Sequence, residues 1–343
     1  MSLAGAGSWT FATLLDALRE HGDRPALISF EGDKETVICF SRLVERVQNF
    51  AEDLHCRGVV VGETVALLAP NSIGWVIARL AVGAIGAVAL ALDDLATDAE
   101  LITALAETAC RRVATLPMRM EALHTIDPGL DLILVRDEPP PAAHLGCEPQ
   151  GTASVHPLPR LGSDAPAMVV YTSGTTGAAK CFMLTYGQIW ANVRALVAEH
   201  IVDRNDRVLL PLPLHHVYPL VVGLLTPLLC GAQVVFPKSV TGPELTWALR
   251  QARVSTIVGV TRLYTAIING LQIQLKTVPP ARRIPAQGFL SLSIWLRRCS
   301  GLNAGRFLFR GLRARISPSL RLLVSGGARL EPEVLWSLVG LGV

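Results

Sequence analysis

Along the first 120 residues the apolar positions alternate between helical and strand spacing. Leu14, Leu15 and Leu18 share one face of a helix over Phe11–Arg19, and Ala26–Phe30 is a short apolar run that predicts a strand. From Ser41, a candidate N-cap, apolar residues fall at 43, 44, 47, 50, 51 and 54, and Gly58 closes that helix. Val65–Leu68 predicts the next strand, ended by Pro70-Asn71. Strand and helix taken in turn predict an α/β fold with parallel sheets. Pro, Gly and Asp crowd residues 128–165 around Pro139-Pro140-Pro141, which reads as a connector. Beyond it Ala167–Tyr171, Val208–Leu210, Ser255–Val258 and Leu322–Ser325 predict strands, and a last helix begins near Glu331. The pattern divides the chain into a first α/β subdomain (1–128), a connector (129–166) and a second α/β subdomain (167–343).

Two apolar stretches have the length of membrane spans: Ile73–Leu92, interrupted by Arg79, and Val217–Phe236, which has no charge. Gly83 and Gly86 split the first; Pro219, Gly223, Pro227 and Gly231 punctuate the second, which ends in Val234-Val235. A buried helix running into a buried parallel strand gives the same composition and is the preferred reading, with an integral membrane protein as the alternative. Residues 1–9 lack the basic-then-apolar pattern of a signal peptide.

The 343 residues are half apolar and only 17% charged, which permits a sizeable core and excludes a disordered tail or linker. Seven scattered cysteines without a CxxC argue against a disulfide framework or structural zinc, and predict a reducing, cytoplasmic compartment. The net charge of +3 conceals an asymmetry. Residues 1–244 hold 17 basic and 26 acidic side chains, whereas residues 245–330 hold 14 basic and no acidic ones. Such a block calls for an anionic neighbour: phosphate, lipid headgroups, nucleic acid or an acidic surface of the same protein.

The strongest chemical signal is Tyr171-Thr172-Ser173-Gly174-Thr175-Thr176-Gly177-Ala178-Ala179-Lys180, directly after a predicted strand. Its glycines let backbone N–H groups turn into a concavity, its hydroxyls add donors, and Lys180 adds a positive charge. These are the parts of a phosphate cradle at 172–180, although the chain contains no Walker A pattern.

This segment resembles the phosphate-binding signature of the adenylate-forming (AMP-binding) superfamily, usually YTSGTTGxPKG. Ala66-Leu67-Leu68-Ala69-Pro70-Asn71-Ser72 upstream, and Leu212-Pro213-Leu214-His215-His216-Val217-Tyr218 and Val324-Ser325-Gly326-Gly327-Ala328 downstream, resemble further motifs of the same family in family order. The resemblance implies two stacked αβ subdomains of an N-terminal catalytic domain. It implies that Thr172, Ser173, Gly174, Thr175, Thr176, Gly177 and Lys180 hold the ATP phosphates. It implies that His216, with Lys180, serves the reacting carboxylate, with His215 in place of the usual aromatic, and that Gly326, Gly327 and Ala328 line the nucleotide and acyl pockets. ATP, Mg²⁺ and CoA are the implied cofactor and co-substrates. Ala179 and Arg329 replace usual prolines, as does Ala91, Tyr186 replaces a usual histidine, and Cys181 replaces a usual glycine where a side chain is expected to crowd a close approach.

Between Arg262-Leu263-Tyr264 and Ser325 the connection is long, basic and interleaved with apolar side chains, with an insertion at 270–320. That resembles the long-chain fatty acyl-CoA synthetases, so a fatty acid activated through an acyl-adenylate to acyl-CoA is the expected reaction, a non-catalytic nucleotide- or acyl-binding relative the alternative. Leu290–Leu296 followed by Arg297, Arg298, Arg306, Arg310, Arg313 and Arg315 suits peripheral contact with an anionic membrane through 290–315, whereas no nucleic-acid motif surrounds the block. The family's later YGxTE and TGD segments and C-terminal lysine have no counterpart in this sequence. It therefore reads as an incomplete synthetase, either a fragment or a half completed by a separate chain.

Overall fold

The computed structural model describes residues 10–31, 34–137, 156–159, 161–172, 180–277 and 279–342. It contains two six-stranded sheets with helices between the strands, and the chain divides into two compact units. Unit 1 comprises residues 1–29, 36–203 and 213–231; unit 2 comprises 30–35, 204–212 and 232–343.

The chain begins with α1 (Phe11–Arg19), β1 (Pro25–Glu31), β2 (Lys34–Cys39) and α2 (Phe40–Cys56). Thr10 and Thr13 form a capping box that starts α1. Ser41 is not the N-cap of α2. Cys39 occupies that position, and the Ser41 hydroxyl instead donates to Asp23 at 2.5 Å from inside the first turn. There follow β3 (Thr64–Leu68), α3 (Ile73–Ala84), β4 (Val88–Ala91), α4 (Asp98–Glu107), β5 (Arg112–Thr115), α5 (Pro117–Ile126) and β6 (Asp131–Leu134). Next come β7 (Pro166–Thr172), β8 (Lys180–Thr185) and α6 (Tyr186–Ala198). A π-helical segment, Pro219–Leu225, runs into the short α7 (Thr226–Leu229) and closes unit 1.

The unit 1 sheet has the order β6-β5-β3-β4-β7-β8, parallel throughout except for the antiparallel β7–β8 hairpin. Ala66, Leu68, Leu90, Leu101, Val113 and Val169 belong to its core. The Phe11 ring lies so close to Gly83 that a Cβ there would collide with it, so α1 rests directly on the α3 backbone. Both membrane-like stretches resolve into the preferred pattern. Residues 73–92 are α3, a left-handed Gly86 and β4; residues 217–236 are the π segment, α7, a left-handed Gly231 and a buried strand. Among the described residues no helix is long and apolar enough to cross a membrane.

Unit 2 contains β9 (Arg207–Leu209), β10 (Gln233–Phe236), α8 (Gly242–Gln251) and β11 (Thr256–Val260). Four helices follow, α9 (Thr261–Thr277), α10 (Pro280–Ser300), α11 (Gly305–Leu308) and α12 (Arg310–Ile316), then β12 (Leu322–Gly326) and α13 (Pro332–Gly340). The second sheet has the order β12-β11-β9-β10-β1-β2, with parallel pairing among β9, β10, β11 and β12. Asp206, almost fully buried, ties the entry of β9 to that of β12: Arg321 Nε donates to its Oδ1 at 2.8 Å, a second Arg321 nitrogen bonds Oδ2, and Ser255 donates at 2.6 Å.

The expected division at 129–166 does not coincide with these units. Residues 131–134 are not connector but β6, paired with β5, and β7 beyond the connector pairs with β4. Strand pairing therefore joins the two expected subdomains in one sheet. The insertion at 270–320 is four helices within unit 2, and the Pro139–Pro141 run lies outside the described residues.

Candidate nucleotide and acyl site

The β7–β8 hairpin positions the phosphate segment. Thr172 and Lys180 are opposed Cα partners in its last rung, so residues 173–179 leave and re-enter the sheet at one place. Ser173, Gly174, Thr175, Thr176 and Gly177 lie outside the described residues. Cys181 follows in regular register opposite Tyr171 and is exposed, so its side chain projects from a strand face. Partial burial and the Glu107 carboxylate push the Cys181 thiol and the Tyr171 hydroxyl up, which keeps both protonated at neutral pH. Thr185 ends the hairpin and, with Gln188, forms the capping box of α6.

The histidine pair stands in the turn before the π segment of unit 1. Asn71, in the turn between β3 and α3, accepts a hydrogen bond from Leu214 N–H at 2.8 Å, which ties two of the sequence motifs together. The His215 and His216 rings meet edge to face with centroids 4.2 Å apart; His216 is exposed and His215 half-buried. Burial and the His216 charge lower the His215 pKa, against the opposing pull of Asp93 and Asp94. His215 is thus a neutral imidazole at pH 7, able to donate from one nitrogen and accept at the other.

Gly326, Gly327 and Ala328 stand in unit 2 at the carboxyl end of β12, where Val260↔Gly326 is the last rung with β11. Open α/β sheets bind ligands at this end of their parallel strands. Gly327 has φ +79°, while a Cβ there would make only an ordinary 3.6 Å contact with Val260, so conformation and not space requires glycine. The first turn of α9 clamps this segment on both sides. Tyr264, fully buried, directs its hydroxyl at the carbonyls of Val324 (2.8 Å) and Ile257 (3.0 Å), while the Thr261 hydroxyl faces those of Ala328 (3.3 Å) and Arg329 (3.2 Å). Sequence reasoning gave Asn71, Thr261 and Tyr264 no such role. The available signal was the i, i+3 spacing of Thr261 and Tyr264, which puts both on one helix face.

Lys180, Thr172 and His216 thus fall in unit 1, and Gly326, Gly327 and Ala328 in unit 2. Among the described residues no group of three or more His, Cys, Asp or Glu side chains could hold a metal ion.

The segment that resembles a phosphate-binding signature links two strands of one mostly parallel sheet, and the glycine turn stands at the carboxyl end of a strand in the other, where open α/β sheets bind ligands. The AMP-binding enzyme family model matches residues 14–341, and the chain belongs to that family. It is similar to a sulfoacetate–CoA ligase of Cupriavidus necator, 36% identical over 220 residues covering 63% of this chain and 42% of that protein. It is also similar to the mitochondrial malonate–CoA ligase of Homo sapiens, 30% identical over 320 residues, 92% of this chain and 50% of that one. The chain therefore spans half or less of the length of these two relatives. In fold it resembles VinN in complex with L-aspartate, with TM-score 0.71 and 17% identity over 97% of this chain and 73% of that one. The N-terminal domain of FACL13 from Mycobacterium tuberculosis gives TM-score 0.68 and 17% identity, covering 95% and 72%.

Proposed function

We propose that this chain is the nucleotide- and acyl-binding part of an ATP-dependent acid–thiol ligase. The observation that carries the reading is the hairpin rung Thr172↔Lys180, which places both ends of the family's phosphate segment together. In this reading the segment and Lys180 neutralise the phosphate oxygens while a carboxylate oxygen attacks the α-phosphorus and pyrophosphate leaves. A CoA thiolate then attacks the acyl carbonyl and AMP leaves. His216 orients the carboxylate, and the glycine turn at 326–328 approaches the nucleotide by its backbone. Mg²⁺ would accompany the ATP phosphates.

For the acid we propose a long-chain fatty acid, supported by the helical, basic segment 261–316 between β11 and β12. A second reading is a short acid with a further anionic group. It is favoured by the His215–His216 pair and by relatives named for sulfoacetate and malonate. Calorimetric titration with ATP tests the first step: Lys180→Ala should weaken binding by about 1.5–3 kcal/mol, the scale of a lost charged hydrogen bond. Unchanged affinity would remove Lys180 from the site. ATP–pyrophosphate exchange with palmitate, sulfoacetate and malonate then separates the two acids, and nucleotide binding without exchange for any acid would support a non-catalytic relative.

A further inference from the structure

The basic stretch distributes its arginines unevenly. Arg321 is paired with Asp206, and Arg313 reaches the backbone carbonyls of Leu320 and Gly342. Arg298 stacks over the Trp336 ring, 4.2 Å from its centroid, and Arg297 turns back to the Gly301 carbonyl. Arg306 and Arg310 are exposed, and among the described residues no acidic group pairs with Arg297, Arg298, Arg306, Arg310 or Arg313. Burial and the neighbouring Arg306 charge pull Arg313 down, as expected where positive charge is left unbalanced.

The same helices turn apolar side chains outward. One side of α10 packs on α13, where a Cβ on Gly340 would sit 2.6 Å from Ile294 and 2.8 Å from Leu290. The other side exposes Phe289, Leu292 and Trp295 at successive i, i+3 positions, with 48%, 45% and 59% of their surface open. Leu302 and Phe307 continue the exposure at 60% and 81%. An apolar row of this kind is unfavourable in water, and a one-sign patch repels itself. A single surface relieves both costs: the headgroup boundary of an anionic bilayer, where Trp, Phe and Leu enter the acyl edge and Arg meets lipid phosphate. Nucleic acid fits less well, because Leu292 and Leu302 offer nothing to a base or a phosphate.

We propose that the outward side of α10–α12, with Phe289, Leu292, Trp295, Phe307, Arg306 and Arg310, is a peripheral docking face for an anionic lipid bilayer. The inference goes beyond the ligase reading and does not depend on which acid is activated. The full chain should co-sediment with phosphatidylcholine vesicles containing about 30 mol% phosphatidylglycerol, bind pure phosphatidylcholine at least about tenfold more weakly, and be released as salt rises from about 0.1 to 0.5 M. Arg306→Glu with Arg310→Glu should lower binding to the anionic vesicles about tenfold or more. Should that variant fold poorly by circular dichroism, the wild-type chain still decides: bromine-labelled acyl chains should quench its tryptophan fluorescence, and Trp295→Leu should remove most of that quenching. Equal binding to both vesicle types, no binding at low salt, or undiminished binding by the folded double variant overturns the proposal. Capture by an RNA oligonucleotide without vesicle binding, or loss of self-association as the only effect of the variants, overturns it too.

Discussion

Helices α3 and α10 are both rich in apolar residues and both carry arginine, yet they use them in opposite ways. Every residue of α3 is buried, Arg79 included, and among the described residues none of its three guanidinium nitrogens finds an acceptor. Arg79 instead stacks over Phe11 at 4.3 Å, and burial pulls its pKa down to about 10, which still leaves it charged at neutral pH. Helix α10 keeps Arg297 and Arg298 outside and exposes part of its apolar side as well. Mean hydropathy ranks the two regions the wrong way for a membrane. The segment that looks like a span is core, and the one that looks like a soluble basic helix presents the surface suited to lipid. What decides is the number of faces a helix must cover: α3 is enclosed on all sides, α10 on one.

The contrast between Arg79, buried without an acceptor among the described residues, and Asp206, buried with its partners, can be tested directly. The largest effect is expected for Asp206→Ala, which removes the buried carboxylate that accepts from both Ser255 and the exposed Arg321. Urea unfolding should show a loss of about 2–4 kcal/mol, the scale of hydrogen bonds to a charged group that are lost together. Next, Arg79→Met should gain about 1–4 kcal/mol by removing a buried charge that has no acceptor. A loss in that experiment would mean that stacking on Phe11 outweighs desolvation. A smaller effect, about 1 kcal/mol, is expected for Tyr264→Phe, which removes one neutral hydroxyl from two carbonyls. If the clamp positions the glycine turn, this variant should weaken nucleotide binding out of proportion to that stability change, and Thr261→Ser should retain binding.

The smallest effect concerns buried groups that can discharge, as Arg79 cannot. Burial lowers the pKa of His21, whose ring nitrogen meets the Leu229 carbonyl at 3.2 Å, and that of His215. The unfolded chain therefore binds more protons than the folded one just below pH 6.5, so stability should fall as pH drops through about 6.5 and level off below the folded-state pKa values. A melting temperature that rises on acidification from about pH 7.5 to 5.5 would contradict the assignment of both histidines.

Where burial and periodicity coincide, the sequence was legible. Leu14, Leu15 and Leu18 located α1 to the residue, and the glycine-punctuated stretches resolved as helix into strand. Strand β8 left no such trace. It is the sheet's edge, and Cys181, Phe182 and Met183 are all exposed, so no inside–outside alternation exists to be read. Thr185 and Gln188, the capping box directly after it, were the usable signal. The four residues of β6 were hidden for a different reason, lying in a Pro- and Gly-rich stretch whose composition outweighed Leu132 and Ile133. In the candidate site the hairpin rung of Thr172 and Lys180 and the clamp by Thr261 and Tyr264 both depend on pairing across the fold, the latter with residues about sixty positions later, which residue type does not report.

The two units are interleaved along the chain, and this sets an order of events during synthesis. The last stretch of unit 1, residues 213–231, is translated only after β9 of unit 2. Until it emerges, Asn71 lacks Leu214 and His21 lacks the Leu229 carbonyl, so these residues wait for partners 143 and 208 positions behind them. A nascent chain of this design has no early resting point at which a finished unit 1 could be released. By the same token, cutting at residue 203 would not isolate unit 1, and any circular permutation aimed at separating the units must carry 213–231 with the N-terminal segment.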